Sequence, residues 1–207
     1  MSQPSLESFL KDVANHKLAV LMDNGVYRHL RFKQPDSGNM RFDLITGPGY
    51  LLYRGDMGCY EFERLHDMFD FFRSTNAANE TELKINDSYW AEKCEAHSRF
   101  GNGITAFCMD SFTEFVKEKS REYAQEEGFT GDRLTEFMES SEGICRYVEN
   151  EYDAFRHISN FEFEGNDISQ SVFGDSCDLS FKSFTYHYIW CCFAITWGIF
   201  QYDKGKS

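Results

Sequence analysis

The chain is short of proline, with 3 in 207 residues, and it contains neither an internal repeat nor a stretch composed like a linker. Because 17% of its residues are aromatic, disorder is excluded: such side chains bury enough apolar area to offset chain entropy. A single domain spanning residues 1–207 is the expected organisation. Positive charge is also deficient, 21 Lys and Arg facing 34 Asp and Glu for a net charge of −13. That balance excludes wholesale attachment to nucleic acid or to an anionic membrane, both of which repel an acidic chain. Any such contact requires a local basic patch. The seven cysteines have no regular spacing, and the residues after Met1 lack the basic-then-apolar layout of a secretion signal. Free thiols in a reducing cytoplasm are therefore expected.

One stretch lacks charge altogether. Ser183 to Tyr202 (SFTYHYIWCCFAITWGIFQY) holds no Lys, Arg, Asp or Glu and is aromatic throughout. Its length suffices to span a bilayer. Thr185, His187, Thr196, Gln201 and several Tyr interrupt it, however, and the only nearby cations are Lys182, Lys204 and Lys206. These features predict a buried helix with Trp190 and Trp197 inside, and no membrane partner.

Upstream, Leu6, Phe9, Leu10 and Val13 recur at helical spacing and predict a helix from Ser5 to Asn15. KLAVLM (Lys17 to Met22) and VYRHLRFK (Val26 to Lys33) flank Asp23-Asn24-Gly25 and predict a hairpin. A three-residue loop there places Leu18, Val20, Met22, Val26, Leu30 and Phe32 on one face, with Arg28 intruding. The opposite face then carries Lys17, Tyr27, His29, Arg31 and Lys33. MRFDLI, YLLYR and CYEFER extend the hairpin into a meander of up to five strands, with Arg41 and Asp43 pointing outward. From Leu65 the period changes to 3.6, and Leu65, Met68, Phe69 and Phe72 mark a helix that covers the sheet.

Asn86-Asp87-Ser88 offers caps for a helix through YWAEKCEAHSR, ended by Gly101-Asn102-Gly103. Asp110 or Ser111 can cap the next, which carries Phe112, Phe115, Val116 and Tyr123 and stops at Gly128. Leu134, Phe137 and Met138 mark another. Ile144, Tyr147, Val148, Tyr152, Phe155 and Ile158 form the apolar face of the one after. FEFEG is extended, and Asn166 to Ser180 is irregular. The fold class is α+β: an N-terminal antiparallel β-meander packed against a mainly helical C-terminal half with a buried C-terminal aromatic helix.

Charge is unevenly placed. Through Tyr60 there are seven Lys/Arg and six Asp/Glu; the remaining 147 residues carry 14 and 28. Two candidate surfaces follow. Glu114, Glu118, Glu122 and Glu126 recur one helical turn apart, about 5–6 Å, with Glu127 beside them. Such a row is either an ordinary solvated face or an imitation of nucleic-acid phosphates that occupies another protein's binding site. The second surface is Tyr27, His29, Arg31, Lys33 and Arg41. It either pairs with helical carboxylates or, with Tyr53, stacks on and neutralises a single nucleic-acid strand.

Other chemistry is weakly signalled. Cys94, His97 and Cys108 have the donor types of a zinc site, but no second close pair supports one. Adjacent Cys191 and Cys192 point about 100° apart on a helix and fill core space. His66-Asp67, His157 and the many carboxylates have no spacing that predicts an acid-base site. Gly47-Pro48-Gly49 and Gly55 to Gly58 lack the helix-opening form of a phosphate loop. No metal or cofactor is expected.

MRFDLITGPGYLLYRGDMGCYEFERLHDMFDFFR (residues 40–73), YWAEKCEA (89–96) and FTYHYIWCCFAITWGIFQYD (184–203) resemble a family of small accessory proteins encoded by tailed bacteriophages and prophages. This chain has Gly47 where the family usually carries a Trp. The resemblance implies a product of the host bacterial cytoplasm and brings no catalytic residues with it. Small acidic accessory proteins of phages often inhibit host defences by binding, as anti-CRISPR and anti-restriction proteins do. The expectation is a non-enzymatic inhibitor that binds a host defence protein or complex stoichiometrically through the acidic surface. A single-strand nucleic-acid-binding factor using the basic sheet face is the alternative, and a hydrolase or metal enzyme a further one.

Overall fold

The computed structural model describes residues 3–74, 77–98, 103–175 and 179–206. Its first elements are α1 (Leu6–Val13), β1 (Lys17–Asn24), β2 (Tyr27–Lys33), β3 (Phe42–Gly47), β4 (Tyr50–Gly55), β5 (Gly58–Glu63), α2 (Met68–Phe72), a 3-10 turn (Glu80–Glu82), α3 (Asp87–Ala91) and β6 (Cys94–His97). Then come β7 (Thr105–Phe107), α4 (Met109–Glu126), α5 (Gly131–Gly143), α6 (Glu151–Ser159), β8 (Glu162–Phe163), β9 (Asn166–Asp167), α7 (Ser169–Phe173), β10 (Lys182–Phe184) and α8 (Tyr186–Lys204). The fold is α+β, and it divides into two compact units: Met1–Ile104 with Phe184–Ser207, and Thr105–Ser183.

In the first unit β1 to β6 form one antiparallel sheet in sequence order. Its turns follow from backbone chemistry. Between β3 and β4, Pro48 fixes the first turn position and Gly49, at φ +90°, takes the second, a conformation that disfavours a side chain. Gly47 lies opposite Tyr50, whose ring covers it: a Cβ there would come within 2.5 Å of the Tyr50 ring.

The first hairpin departs from the expected three-residue loop. Asn24 pairs with Tyr27 across a two-residue loop, and the extra residue is absorbed by an irregularity between Val20 and Met22. Leu18 and Val20 still oppose Phe32 and Leu30, but Met22 switches to the side of His29. Arg28 does intrude on the inner face. It is held there by two hydrogen bonds to Asp67, at 2.9 and 2.8 Å, with its guanidinium 4.4 Å from the Phe69 ring centre.

The meander has six strands, one more than expected. Asn86 caps only the five residues of α3, and the segment expected to continue that helix instead forms β6 along the open edge of β5. The ladder satisfies backbone groups of β5 that a continued helix would leave unpaired at the edge. The expected end of that helix at Gly101-Asn102 lies outside the described residues. Leu65, assigned to the buried face of α2, precedes the helix and is 43% exposed, while Met68, Phe69 and Phe72 are buried as expected.

The aromatic helix is α8, and it packs on the inner face of this sheet. Every residue from Tyr188 to Ile199 is buried, Trp190 fully and Trp197 to 5% exposure. Phe9 of α1 meets Trp190 edge-on at 5.0 Å, Phe42 of β3 meets it at 5.7 Å, and Phe32 of β2 meets Trp197 at 5.4 Å. Gly198 permits this approach, since a Cβ there would lie 2.8 Å from Leu44 Cδ1. The aromatic polar atoms find acceptors. Trp190 Nε1 donates to Asp12 (2.9 Å), Trp197 Nε1 to Glu80 (3.1 Å), Tyr202 to Asp23 (2.8 Å) and Tyr188 to the Asp87 carbonyl (2.7 Å). No described helix is long and apolar enough to cross a membrane.

The second unit has its own core, built from Phe112, Val116, Phe137, Ile158, Phe161, Phe173 and Phe181. Cys108, not Asp110 or Ser111, occupies the N-cap of α4, and Gly128, at φ +68°, follows its end. The segment 166–180 is less irregular than expected, since it contains β9 and α7. Two residues contradict their assignment to a buried helical face: Tyr147 is 93% exposed and Tyr152 is 74% exposed. For Tyr147 the reason is the helix start. Asn150 caps α6 by accepting from the Asp153 amide at 3.0 Å, so residues 144–149 form a loop and the apolar period breaks before it reaches Tyr147.

Candidate functional site

The acidic candidate is one face of α4. Phe112, Val116, Ser120 and Ala124 bury the opposite side of this 18-residue helix, and Glu114, Glu118, Glu122 and Glu126 stand exposed. Successive members are about 6 Å apart along the axis and about 40° apart around it, so the row winds gently over roughly 18 Å. Glu127 is exposed as the C-cap residue, beyond the end of the row.

Few cations compensate these carboxylates. Lys119 pairs with Glu122 at 2.7 Å and Lys117 reaches Glu142 of α5 at 4.0 Å. Among the described residues Glu114, Glu118 and Glu126 have no ion pair or hydrogen bond, although Glu118 and Glu126 add to the field of Glu122 that raises the Lys119 pKa. The unit's sequence, residues 105–183, carries 18 Asp/Glu and 7 Lys/Arg, so −11 of the chain's −13 resides there.

The basic candidate is the outer face of the sheet. Alternation on β2 puts Tyr27, His29, Arg31 and Lys33 on that face, because Leu30 and Phe32 are fully buried on the other. Arg41 is exposed but precedes β3. Tyr53 is fully buried in the core and does not join this face. Tyr27 and Tyr50 are the exposed rings there, at 51% and 37%.

Two basic groups of this face are already engaged. Asp43 of β3 lies opposite Arg31, which donates to both its oxygens at 2.9 and 2.8 Å, and His29 Nε2 is 2.9 Å from the same carboxylate. Burial pushes the Asp43 carboxyl up, but hydrogen bonds from Arg31 and His29 outweigh it and hold the group below its ordinary range. The same carboxylate raises Arg31. Arg54, opposite Asp43 on the far side, and Lys33 remain as exposed cations. Asp43 was legible as an outward residue; its role as the neutralising centre of this face was not, since cross-strand register decides which arginine it meets.

The remaining chemical candidates have structural roles. Asp67 caps α2 and pairs with Arg28, and His157 donates to the Ile144 carbonyl at 2.6 Å. The glycines of 47–49 and 55–58 make hairpin turns. Cys191 and Cys192 are buried free thiols whose pKa values burial pushes up. Cys108 is the exception, held low by hydrogen bonds from the Ser111 side chain and backbone. Among the described residues no three His, Cys, Asp or Glu side chains converge as metal ligands. A cleft of about 670 Å³ between α2 and α3 is walled by Phe71, Phe72, Tyr89 and Trp90. Its Asp70 and Arg73 pair with each other. No protein-family model, curated protein or solved structure matches the chain.

Proposed function

We propose that this is a phage-encoded accessory protein that acts in the host bacterial cytoplasm as a stoichiometric, non-enzymatic inhibitor of a defence system of the anti-CRISPR or anti-restriction type. The exposed row Glu114, Glu118, Glu122 and Glu126 is its contact, meeting a basic surface that the defence protein otherwise uses for nucleic acid. The observation that supports this reading is the charge layout: a 79-residue unit carries −11, and three of the four row carboxylates are unpaired among the described residues. A field of that sign accelerates encounter with a cationic site and repels nucleic acid itself.

The experiment is expression of the chain in bacteria that carry a characterised CRISPR or restriction system, with plating efficiency of a sensitive phage as readout. Wild type restores plating. The Glu114→Lys, Glu118→Lys, Glu122→Lys variant, folded by circular dichroism, does not. Restoration by the variant equal to wild type would refute the acidic contact. A second reading, single-strand nucleic-acid binding by the outer sheet face, is favoured by exposed Tyr27 and Tyr50 on the face that also carries exposed Lys33 and Arg54. Asp43 works against it by neutralising Arg31.

A further inference from the structure

Tyr147 combines a left-handed backbone with an unpacked ring. Its backbone is left-handed, at φ +61°, a conformation unfavourable for a residue with a Cβ. Its ring is 93% exposed and has no hydrogen bond or ring contact among the described residues. The conformation is imposed from both sides. The Arg146 amide bonds to Gly143, the Ile144 carbonyl accepts from His157, and Ile144, Cys145 and Val148 pack on the unit's core. Asn150 then fixes the start of α6. The loop is thus well anchored and holds a large aromatic ring out in water.

The loop also has a defined neighbour. Glu142 at the end of α5 reaches Lys117 at 4.0 Å, so the loop that follows starts beside the first turns of α4, where Glu114 and Glu118 stand. Tyr152, 74% exposed in the first turn of α6, is a second ring on this side of the loop; its neighbours Glu151 and Asp153 pair with Lys182 and Arg156. An aromatic ring on a loop beside the unpaired carboxylates of Glu114 and Glu118 complements a guanidinium: its flat face lies on the ring while its charge meets the acids, an arrangement a lysine ammonium reproduces less well.

We propose that Tyr147, supported by Tyr152, is the anchor with which the second unit binds an arginine of a basic protein surface. The proposal rests on the acidic-contact reading above and adds a specificity to it, arginine over lysine, at a named residue.

The test uses fluorescently labelled octa-arginine and octa-lysine peptides titrated into the full chain, with Tyr147→Gly, Tyr147→Ala and the triple charge reversal alongside. Wild type binds octa-arginine more tightly than octa-lysine. Tyr147→Gly and Tyr147→Ala weaken octa-arginine binding by about tenfold and leave octa-lysine binding nearly unchanged. Tyr147→Gly also raises Tm, because glycine adopts the left-handed backbone without penalty; a gain in stability with a loss of binding separates an anchor from a structural residue. Octa-arginine binding by Tyr147→Gly equal to wild type, with the charge reversal abolishing it, overturns the anchor and leaves the acidic contact standing. If wild type binds neither peptide, or the charge reversal changes nothing, both fall.

Discussion

Asp43→Asn tests whether the sheet's basic face is neutralised from within. The substitution keeps the shape of the side chain and removes its charge, leaving Arg31 and His29 with a weaker acceptor. Asp43 is 7% exposed, but its partner Arg31 keeps 35% of its side chain in solvent, so the orphaned cation recovers some hydration. The cost is therefore about 2 kcal/mol, below the roughly 3–5 kcal/mol for breaking a fully buried pair. On a chain of this size that lowers Tm by about 4–8 °C. The folded-state pKa of Asp43 is depressed, so its contribution is present above the unfolded value, about 3.9, and is lost as pH falls through the folded one. Thermal melts of wild type and variant should differ at neutral pH and converge in acid below the carboxylate range. The variant should also gain affinity for an oligothymidine strand at low salt. A Tm difference that is absent, or that persists unchanged in strong acid, would refute the reasoning.

Two further outcomes follow from packing and thiol chemistry. Gly198→Ala forces a Cβ to within 2.8 Å of Leu44 Cδ1 and 3.1 Å of Phe32, and chemical denaturation should report a loss of about 1–3 kcal/mol, although alanine is the better helix former; unchanged stability would mean that α8 sits less closely on the sheet than described. Among the six described thiols Cys108 alone has a lowered pKa, so timed iodoacetamide labelling near neutral pH should modify it first, with buried Cys191 and Cys192 reacting only on unfolding.

Much of the architecture could be read from the chain because single residue patterns determine it. The absence of charge from Ser183 to Tyr202 marks a helix apolar on all sides, and α8 is buried without interruption from Tyr188 to Ile199. Alternation in β2 separates Leu30 and Phe32 from His29 and Arg31, and the two sets do face opposite ways. What the chain conceals depends on partners distant in sequence. Cys94 to His97 reads as helix until the unpaired edge of β5 is known. Tyr147 fits a helical apolar period until Asn150 is seen to start the helix later. The glutamate row of α4 was legible from its spacing, and its exposure follows from the apolar residues that alternate with it. The neutralisation of Arg31 was not, because Asp43 is brought to it only by the register of β2 on β3.

The acidic contact is tested most directly by purifying the tagged chain from bacteria whose defence system it inhibits and challenging the co-eluting defence complex with duplex DNA. The account predicts that DNA and the chain compete for one site, and that the Glu114→Lys, Glu118→Lys, Glu122→Lys variant fails to retain the complex. A complex that holds DNA and the chain together, and that the variant retains as well as wild type does, would contradict it.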